Sequence, residues 1–227
     1  MGVGLAASTA AASPTIFNDR VTWEGAVGQP LVTETFEDEA LGFVTDPATF
    51  ATGLIAGVVG SDISMRIEAG DPDGISADNT TVNGRKYLRY GAANETGTYS
   101  ARFTLPTAST VFGFDISAWQ PSSAAGGVPG QGGMNITLIG DGVFEDFFFQ
   151  SDATFDDLTF IGITNNAAFT EVRLSITQLQ FQGFGTEADD VAFDQVSFIP
   201  TPSAAAALVV AGTLATRRRR SRTARSR

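Results

Sequence analysis

Alternation of apolar and polar residues over short segments is the feature that most restricts the fold of this chain. In residues 98–105 every second position is apolar, namely Tyr99, Ala101, Phe103 and Leu105. Residues 111–116 repeat the pattern, with Phe112 and Phe114 on one face and Asp115 on the other. A period of two places alternate side chains on opposite sides of a β-strand. The pattern therefore predicts an antiparallel all-β fold.

Segments of this kind recur along the chain at short spacing, separated by turns such as the one at 140–142. The predicted strands are 31–36, 54–59, 63–68, 86–90, 97–105, 111–116, 134–139, 143–150, 155–164, 169–177 and 191–198. Residues 16–24 predict one short helix, with Asn18 as its N-cap and Phe17, Val21 and Trp23 on its apolar side. A two-sheet sandwich of jelly-roll type fits this order best, and a barrel is the alternative.

Composition agrees with this fold and removes several kinds of chemistry. The chain has 25 Gly and 18 Phe among 227 residues, a mixture that suits many strands joined by glycine turns. It contains no Cys, so disulfides and thiolate metal sites are excluded. It also contains no His, which removes the usual general base and the commonest zinc ligand.

The net charge of −11 conceals a separation of charge along the chain. Residues 1–199 contain 25 acidic and 7 basic residues, whereas the last eleven residues contain seven arginines and no acid. A body with a net charge of −18 repels nucleic acid phosphates and attracts divalent cations. Solubility alone is the simpler explanation of this acidity.

The last residues have a three-part organisation. Pro200-Thr201-Pro202 precedes an uncharged apolar run, 203–216, and then the cluster Arg217, Arg218, Arg219 and Arg220. The run is shorter than the roughly 17 to 20 residues that a stable transmembrane helix needs. Arginines remain on the cytoplasmic side of a membrane, so this segment predicts a hydrophobic helix that inserts transiently and leaves the body outside. A buried C-terminal helix is the alternative.

This order of proline motif, hydrophobic segment and arginine cluster resembles the PEP-CTERM sorting signal of exported bacterial proteins, although the family has Glu where this chain has Thr201. The resemblance implies cleavage by an exosortase-like enzyme and a final location at the cell surface or in the extracellular matrix. The small residues of 1–13 then correspond to the remnant of a secretory signal peptide, or to a plain disordered N-terminus. The expected domains are 1–13, the β-sandwich ectodomain 14–199 and the sorting signal 200–227.

Acidic residues close the first predicted strand and border the last one. Residues 189–198 resemble the last strand of carbohydrate-binding-module-like and lectin-like jelly rolls, in which an aspartate contributes to a structural calcium site. The first and last strands of a sandwich often pair, and carboxylate oxygens are the ligands that Ca²⁺ prefers. We therefore expect Glu37, Asp190 and Asp194 to be calcium ligands. Solvated turn acids are the alternative.

Binding and catalysis have weaker signals. Trp119, at the start of a long loop (119–133), and Tyr99 could stack on pyranose rings, although burial in the core is the commoner fate of both residue types. A glycosidase needs only two acids, and Glu145, Asp146, Asp156 and Asp157 lie on or beside strands. No pair of them stands out, so we expect the chain not to be an enzyme.

Three functions remain. The sequence favours an exported structural or adhesive protein of the bacterial envelope or matrix. A calcium-stabilised carbohydrate-binding module, with an exopolysaccharide as its partner, is the first alternative. A secreted glycoside hydrolase with paired carboxylates is the second.

Overall fold

The structure is a computed structural model that describes residues 14–59, 63–69, 86–92, 97–117, 133–150, 158–178 and 190–199. These segments form antiparallel β-strands and a single α-helix, so the predicted all-β class is confirmed. The elements are β1 (Thr15–Phe17), α1 (Arg20–Val27), β2 (Val32–Glu34), β3 (Gly42–Val44), β4 (Ala48–Thr49), β5 (Ile55–Val58), β6 (Ile63–Ala69), β7 (Lys86–Ala92), β8 (Gly97–Ser117), β9 (Met134–Gly140), β10 (Val143–Phe149), β11 (Thr159–Gln178) and β12 (Asp190–Phe198).

Two long strands differ from the prediction. The predicted strands 97–105 and 111–116 are parts of β8, which has 21 residues, and the predicted strands 155–164 and 169–177 fall within β11, which begins at Thr159 and has 20 residues. The two long strands pair with each other from Gly97 to Ile116, with register shifts on β11 between Thr164 and Glu171. The apolar alternation lapses where this pairing is irregular, between the pairs Thr164–Val111 and Glu171–Thr104, which is why the sequence pattern divided both strands.

The helix begins later than predicted. Residues 15–17 form β1 and pair with β11, so they are not available to a helix. Asp19 is the N-cap, and its carboxylate accepts a hydrogen bond from the Thr22 amide at 2.7 Å, which satisfies one of the free amides of the first turn. Gly28 ends the helix with φ of 61°, a left-handed conformation that favours glycine. The predicted cap Asn18 is therefore wrong by one residue.

Trp23 fixes the helix to the sheet. Its ring is completely buried and lies on Gly113 of β8 and Gly162 of β11, where any Cβ would come within 2.7 Å and 2.5 Å of the indole. Its Nε1 donates a hydrogen bond to the Ile163 carbonyl at 3.3 Å, and Phe160 packs beside it at 5.4 Å between ring centroids. Only glycine at these two positions of the paired strands allows so close an approach.

The order of strands in the described sheet is β10-β9-β11-β8-β12-β7-β6-β3. The short strands attach to its sides: β1 to β11, β2 to β12, and β5, which carries β4, to β8. Because β8 pairs with β5 through its first half and with β12 through its second half, the hydrogen bonds connect all of these strands into one network. The pairing alone therefore does not separate two sheets.

Alternating side chains of these strands fill a single large core. Its fully buried aromatic residues include Tyr90, Phe103, Phe112, Phe114 and Phe193, whose rings contact one another edge-to-face or tilted. Such contacts add to the burial of apolar area. The phenylalanines that the sequence predicted on one face of the strands at 103 and 112–114 are confirmed as core residues.

The two ends predicted to direct export lie outside the described residues. Among the described segments, no helix has the length and apolar character that crossing a bilayer requires. Residues 1–13, Pro200, Thr201, Pro202, the apolar run 203–216 and the arginines 217–220 are not part of the described structure.

Candidate functional site

A cluster of buried charged groups lies where α1 covers β8 and β12. Asp194, one of the predicted calcium ligands, is the pairing partner of Asp115 on the adjacent strand. Both side chains are buried, at 2% exposure each. We call Arg20, Asp115 and Asp194 the buried charge cluster.

A bulge in β12 shapes this cluster. The pairing of β12 with β8 shifts between Asp194 and Ser197, and Gln195 there has a φ of 45°. The bulge presents the Gln195 carbonyl to Arg20, whose Nη2 donates to it at 3.2 Å. A β-bulge is a common means of redirecting backbone groups at a site.

Arg20 is the cation of the cluster. Its Nη2 donates to Asp115 Oδ2 at 2.8 Å, and its Nη1 donates to the Ser197 hydroxyl at 3.3 Å. The guanidinium also lies 4.5 Å from the centre of the Phe160 ring. Arg20 therefore connects the helix to both strands beneath it through a charge-assisted hydrogen bond and a cation–π contact.

The two aspartates differ in their partners. Asp194 Oδ1 accepts a hydrogen bond from the Gln195 amide at 2.7 Å, whereas its Oδ2 is buried without a hydrogen-bond partner among the described residues. The pKa of Asp194 is raised to about 7, mainly by burial and also by the nearby charges of Asp115 and Glu37, against the opposing effects of the Gln195 amide and Arg20. Burial likewise raises the pKa of Asp115 to about 6, against the opposing effect of Arg20. One guanidinium cannot compensate two ionised carboxylates, so the cluster attracts either a proton or a further cation.

The structure brings two of the predicted calcium ligands near each other. Glu37 is close enough to influence Asp194, and its Oε1 accepts a hydrogen bond from the Lys86 amide at 2.9 Å. The Lys86 ammonium binds the carbonyl oxygens of Glu37 and Glu39 at 2.6 and 2.7 Å. The backbone of Asp190 lies in β12, but its side chain is outside the described part. Within that part, no three acidic side chains are grouped to hold a metal ion.

Sequence reasoning missed the contribution of Asp115 and Arg20. Asp115 stands in an alternating strand at the position opposite the phenylalanines, which predicted a solvent-facing acid. The helix α1 covers that face, and no pattern within residues 111–116 predicts this. The lone basic residue in a predicted amphipathic helix, Arg20, is the one signal that could have suggested a buried partner.

A second candidate site is the outer face of the sheet formed by β10, β9, β11 and β8. Alternate residues of β9, β11 and β8 point into the core, so their neighbours point outward. We call this outward set the open sheet face. Its residues are Phe144, Asp146, Phe148, Asn135, Thr137, Ile139, Glu171, Arg173, Ser175, Ser100, Arg102 and Thr104.

Two aromatic rings project from the outermost strand of this face. Phe144 is 75% exposed and Phe148 is 56% exposed, although most phenylalanines of the chain whose burial is described are buried. They are four residues apart on β10, which places them on one side of the strand, about 13 Å apart along it. Exposed aromatic side chains on a flat sheet are unusual for a surface with no partner.

Polar side chains cover the neighbouring strands in register with these rings. One row across the sheet runs Phe148, Asn135, Ser175, Ser100, and the next runs Asp146, Thr137, Arg173, Arg102, ending at Gly57 of β5. Thr137 donates to Asp146 at 3.2 Å, and the hydroxyls of Ser100 and Ser175 share a hydrogen bond of 3.1 Å. The open sheet face therefore combines an aromatic margin with a broad area of hydrogen-bonding groups.

The structure describes few of the other predicted site residues. Trp119, Asp156 and Asp157 lie outside the described residues, and of Tyr99 only the backbone, in β8, is described. Glu145 points to the opposite side of β10 from Asp146 and accepts a hydrogen bond from Asn165 at 3.3 Å. Glu145 and Asp146 are adjacent in sequence on a strand, so they do not face each other as a glycosidase pair must.

Comparison with known proteins assigns no family. A scan of protein-family models gives no match, and a search of curated proteins gives no significant match. Solved structures do give matches at low identity. A Stig cyclase from Fischerella sp. TAU, in complex with an indole compound, is 16% identical, with 76% of this chain and 100% of the cyclase covered and a TM-score of 0.44.

Two further matches are binding domains by their descriptions. The K2 cleaved adhesin domain of Lys-gingipain is 11% identical over 75% of this chain and 98% of that domain, with a TM-score of 0.42. The CBM22-2 xylan-binding domain of Paenibacillus barcinonensis Xyn10C is 15% identical over 75% of this chain and 99% of its own, with a TM-score of 0.42. Similarities at this level do not carry a ligand or a reaction over to this chain.

One expectation is corrected by these comparisons. The sequence led us to expect that the chain is not an enzyme, and the cyclases among the similar structures contradict this because they are enzymes. Their identity of 16% to 19% leaves the kind of reaction open, and we withdraw the expectation.

Proposed function

We propose that this chain is a carbohydrate-binding module and that the open sheet face is its binding surface. The observation that carries the proposal is the exposure of Phe144 and Phe148 in register with rows of hydroxyl, amide and guanidinium groups. A sugar ring has an apolar face, which stacks on an aromatic ring, and an edge of hydroxyl groups, which needs hydrogen-bond partners. The open sheet face offers both, side by side.

The geometry suits an extended polysaccharide better than a single sugar. Phe148 and Phe144 stand about 13 Å apart along β10, and β11 lies two strand spacings, about 10 Å, from them. A ligand that contacts a ring and the arginines at once must span several sugar units. A flat surface of this kind binds a chain laid across it and leaves both ends of that chain free.

We propose further that the strands are arranged as the two layers of a jelly-roll sandwich. The first half of β8 pairs with β5 and with the second half of β11, and that half of β11 also pairs with β9. The register shifts of β11 between Thr164 and Glu171 supply a point where the long strands can bend from one layer into the other. In this arrangement the open sheet face is the outer surface of one layer.

Calcium is the cofactor that we propose for the region of the buried charge cluster. Asp194 Oδ2 is buried and lacks a described partner, and Glu37 lies near it, so the donor set consists of hard oxygen atoms. Asp194 and Glu37 would hold the ion, which would supply the positive charge that Arg20 alone does not. The predicted ligand Asp190 lies four residues from Asp194 on β12, about 13 Å along the strand, and is too distant to share the ion. Its role would be to stabilise the fold.

Export and sorting remain a proposal that rests on the terminal residues. Pro200-Thr201-Pro202, the apolar run and Arg217 to Arg220 support processing by an exosortase-like enzyme at the inner membrane, followed by a location at the cell surface or in the extracellular matrix. A glycan-binding protein released there would meet exopolysaccharide. Mass spectrometry of the C-terminus in native cells tests this: processing removes the arginines, and an intact C-terminus on a cytosolic species would reject it.

The binding proposal is tested by affinity electrophoresis of the full-length chain through gels that contain single polysaccharides. We expect retardation by at least one polysaccharide, and loss of most of it in the double variant Phe144→Ala/Phe148→Ala. The matched control is Phe43→Ala, because Phe43 is 74% exposed but lies on β3, at the other end of the strand order. Equal retardation of the two variants would reject the open sheet face as the binding surface.

A further inference from the structure

Two arginines stand side by side at the centre of the open sheet face. Arg173 of β11 and Arg102 of β8 are direct pairing partners on adjacent strands. Like charges directly opposite each other destabilise a sheet unless something compensates them. Their placement therefore requires an explanation from the surrounding groups.

A carboxylate lies near each of the two arginines. Arg173 Nε donates to the Glu171 carboxylate, and its side chain remains 44% exposed. The guanidinium of Arg102 extends over Gly57, where a Cβ would come within 2.8 Å of Arg102 Nη2 and 2.9 Å of Asp46 Oδ1. Asp46 Oδ1 also accepts a hydrogen bond from the Val58 amide at 3.1 Å, which fixes that carboxylate beside Gly57. Asp146 lies in the same row of the face, so three carboxylates accompany the two arginines and the face has no net positive charge.

Arg102 and Arg173 offer hydrogen-bond donors, but the open sheet face has no net positive charge. No hydrogen bond from the Nη groups of Arg102 or Arg173 to another group is formed within the described segments, although a guanidinium carries five donors in a fixed plane. A net positive charge would be required to attract a polyanion to a body that carries −18. Without it, that body repels acidic polysaccharides.

From these observations, and resting on the proposed function, we infer that the open sheet face selects neutral polysaccharides. Arg102 and Arg173 donate hydrogen bonds to neighbouring hydroxyl groups of an uncharged sugar, while Phe144 and Phe148 stack on rings further along the same chain. Glu171 acts as a positioning residue by accepting a hydrogen bond from Arg173, and the carboxylates of Glu171, Asp46 and Asp146 offset the charge of the two arginines. The ligand class is a neutral glycan with adjacent free hydroxyl groups, and sugar carboxylates are disfavoured.

The test compares neutral and acidic polysaccharides at two salt concentrations. Full-length protein is run in affinity gels with xylan, galactomannan or mixed-linkage β-glucan, and with alginate or polygalacturonate, at about 50 and 500 mM NaCl. We expect binding to at least one neutral polysaccharide, changed less than about twofold by salt, because no net charge is screened. Arg102→Gln and Arg173→Gln should each weaken that binding about tenfold, as loss of a donor to a buried hydroxyl group does.

Control variants separate this inference from a structural role for the arginines. Arg66→Gln is matched in chemistry, since Arg66 is 39% exposed and paired with Glu68 at 3.0 Å on β6, and it should bind like the wild type. Glu171→Gln should keep the fold, shown by an unchanged melting temperature, and should not add binding of alginate, because the face still has no net positive charge. Thermal melting of both open-face arginine variants shows whether weaker binding comes from unfolding. A further variant, Arg102→Lys, keeps the positive charge but removes the planar arrangement of donors.

The results of these assays distinguish failure of the inference from failure of the proposed function. Binding of acidic polysaccharides alone, or binding of neutral ones that arginine removal leaves unchanged, overturns the inference while the proposed function stands. Binding of no polysaccharide, with Phe144→Ala/Phe148→Ala indistinguishable from the wild type, rejects both. Neutral binding that needs both arginines and tolerates salt supports the inference.

Discussion

The buried charge cluster and the open sheet face use the same kinds of residue to opposite effect. Arg20 is 17% exposed and donates to a carboxylate, a hydroxyl and a carbonyl of the chain itself. Arg173 is 44% exposed and contacts one carboxylate. In the cluster, groups of the chain itself accept hydrogen bonds from both Nη atoms of the arginine, and its buried Nε has no described partner, whereas on the face the Nη donors stay available to a ligand.

Their aromatic residues show the same division. Trp23 of α1 and Phe160, which packs beside it, are buried, whereas Phe144 and Phe148 are exposed. Burial of an aromatic ring stabilises the fold, and exposure of one leaves that free energy to be gained on binding. The difference teaches that residue type alone does not mark a site in this chain. What marks it is whether a second element covers the strand.

Removing Trp23 should have the largest effect on stability. Trp23→Ala leaves a cavity above Gly113 and Gly162, and loses the hydrogen bond to the Ile163 carbonyl. We expect a loss of about 3 to 5 kcal/mol in the free energy of unfolding, measured by chemical denaturation. Polysaccharide binding by the fraction that remains folded should be unchanged, because α1 does not contribute to the open sheet face. A loss below about 1 kcal/mol would show that the helix is not fixed by this contact.

Much of the first region could be predicted in outline and not in detail. The alternation of residues 111–116 identified the strand, and the apolar side of residues 17–23 identified a helix, because both patterns are local. The burial of Asp115 depends on which strand the helix covers, and that depends on glycines at 113 and 162, nearly 50 residues apart in sequence. Contacts of this separation leave no periodic signal.

Breaking the cluster through its cation should have the next largest effect. Arg20→Met removes the partner of Asp115 and leaves a buried carboxylate uncompensated, at a cost of about 3 kcal/mol near neutral pH. Adding Asp115→Asn should recover most of that loss, since no charge then remains to be paired. Denaturation of the two single variants and the double variant forms the thermodynamic cycle. Additive losses would contradict a direct interaction between the two residues.

Calcium should raise the free energy of unfolding through one of the two regions only, the region of the buried charge cluster. If Asp194 and Glu37 hold a calcium ion, saturation at about 100 times Kd raises the free energy of unfolding by about 2.7 kcal/mol. The melting temperature should rise with calcium, return with a chelator, and be insensitive to both in Asp194→Asn. An identical melting temperature under all these conditions would remove the calcium proposal without affecting glycan binding.

Acidity should stabilise the metal-free chain. Asp194 and Asp115 have pKa values of about 7 and about 6, raised above the ordinary value of 3.8, so the folded state binds more protons than the unfolded state between those limits. Stability is therefore fully present below pH 4 and is lost as pH rises through 6 and 7. Considering these two groups alone, we expect a decrease of roughly 4 kcal/mol in the free energy of unfolding between pH 5 and 7.5.

The controls for this pH effect use the same site. Asp194→Asn should flatten most of the dependence, because the neutral amide resembles the protonated acid. Saturating calcium should reverse it, since calcium binds the ionised carboxylate and its binding strengthens as the proton leaves. A decrease of equal size in the wild type and in Asp194→Asn would assign the effect to other groups.

The second region shows a different limit of sequence reasoning. The sequence predicted Tyr99 and Trp119 as binding aromatics and did not single out Phe144 and Phe148, two exposed rings of the described structure. The run Phe147-Phe148-Phe149 belongs to β10, the outermost described strand of its sheet, and the described residues place no element over the face that carries Phe148. Position at an edge is a property of the strand order, which the segment itself does not encode.

Substitutions on the open sheet face should have the smallest effect on stability, and they test the distinction between the two regions most directly. Phe144→Ala removes a ring that is 75% exposed, so the free energy of unfolding should change by no more than about 0.5 kcal/mol. Binding of a polysaccharide should nonetheless weaken about tenfold, because the stacked ring loses contact only in the complex. Val143→Ala is the matched neighbour: Val143 is 8% exposed and points to the other side of β10, so its loss should cost stability and spare binding. Denaturation and affinity electrophoresis of the two variants measure both quantities. If Phe144→Ala proves as destabilising as Val143→Ala, the ring is packed against the protein, and the distinction between a region that holds the fold and a region that binds disappears.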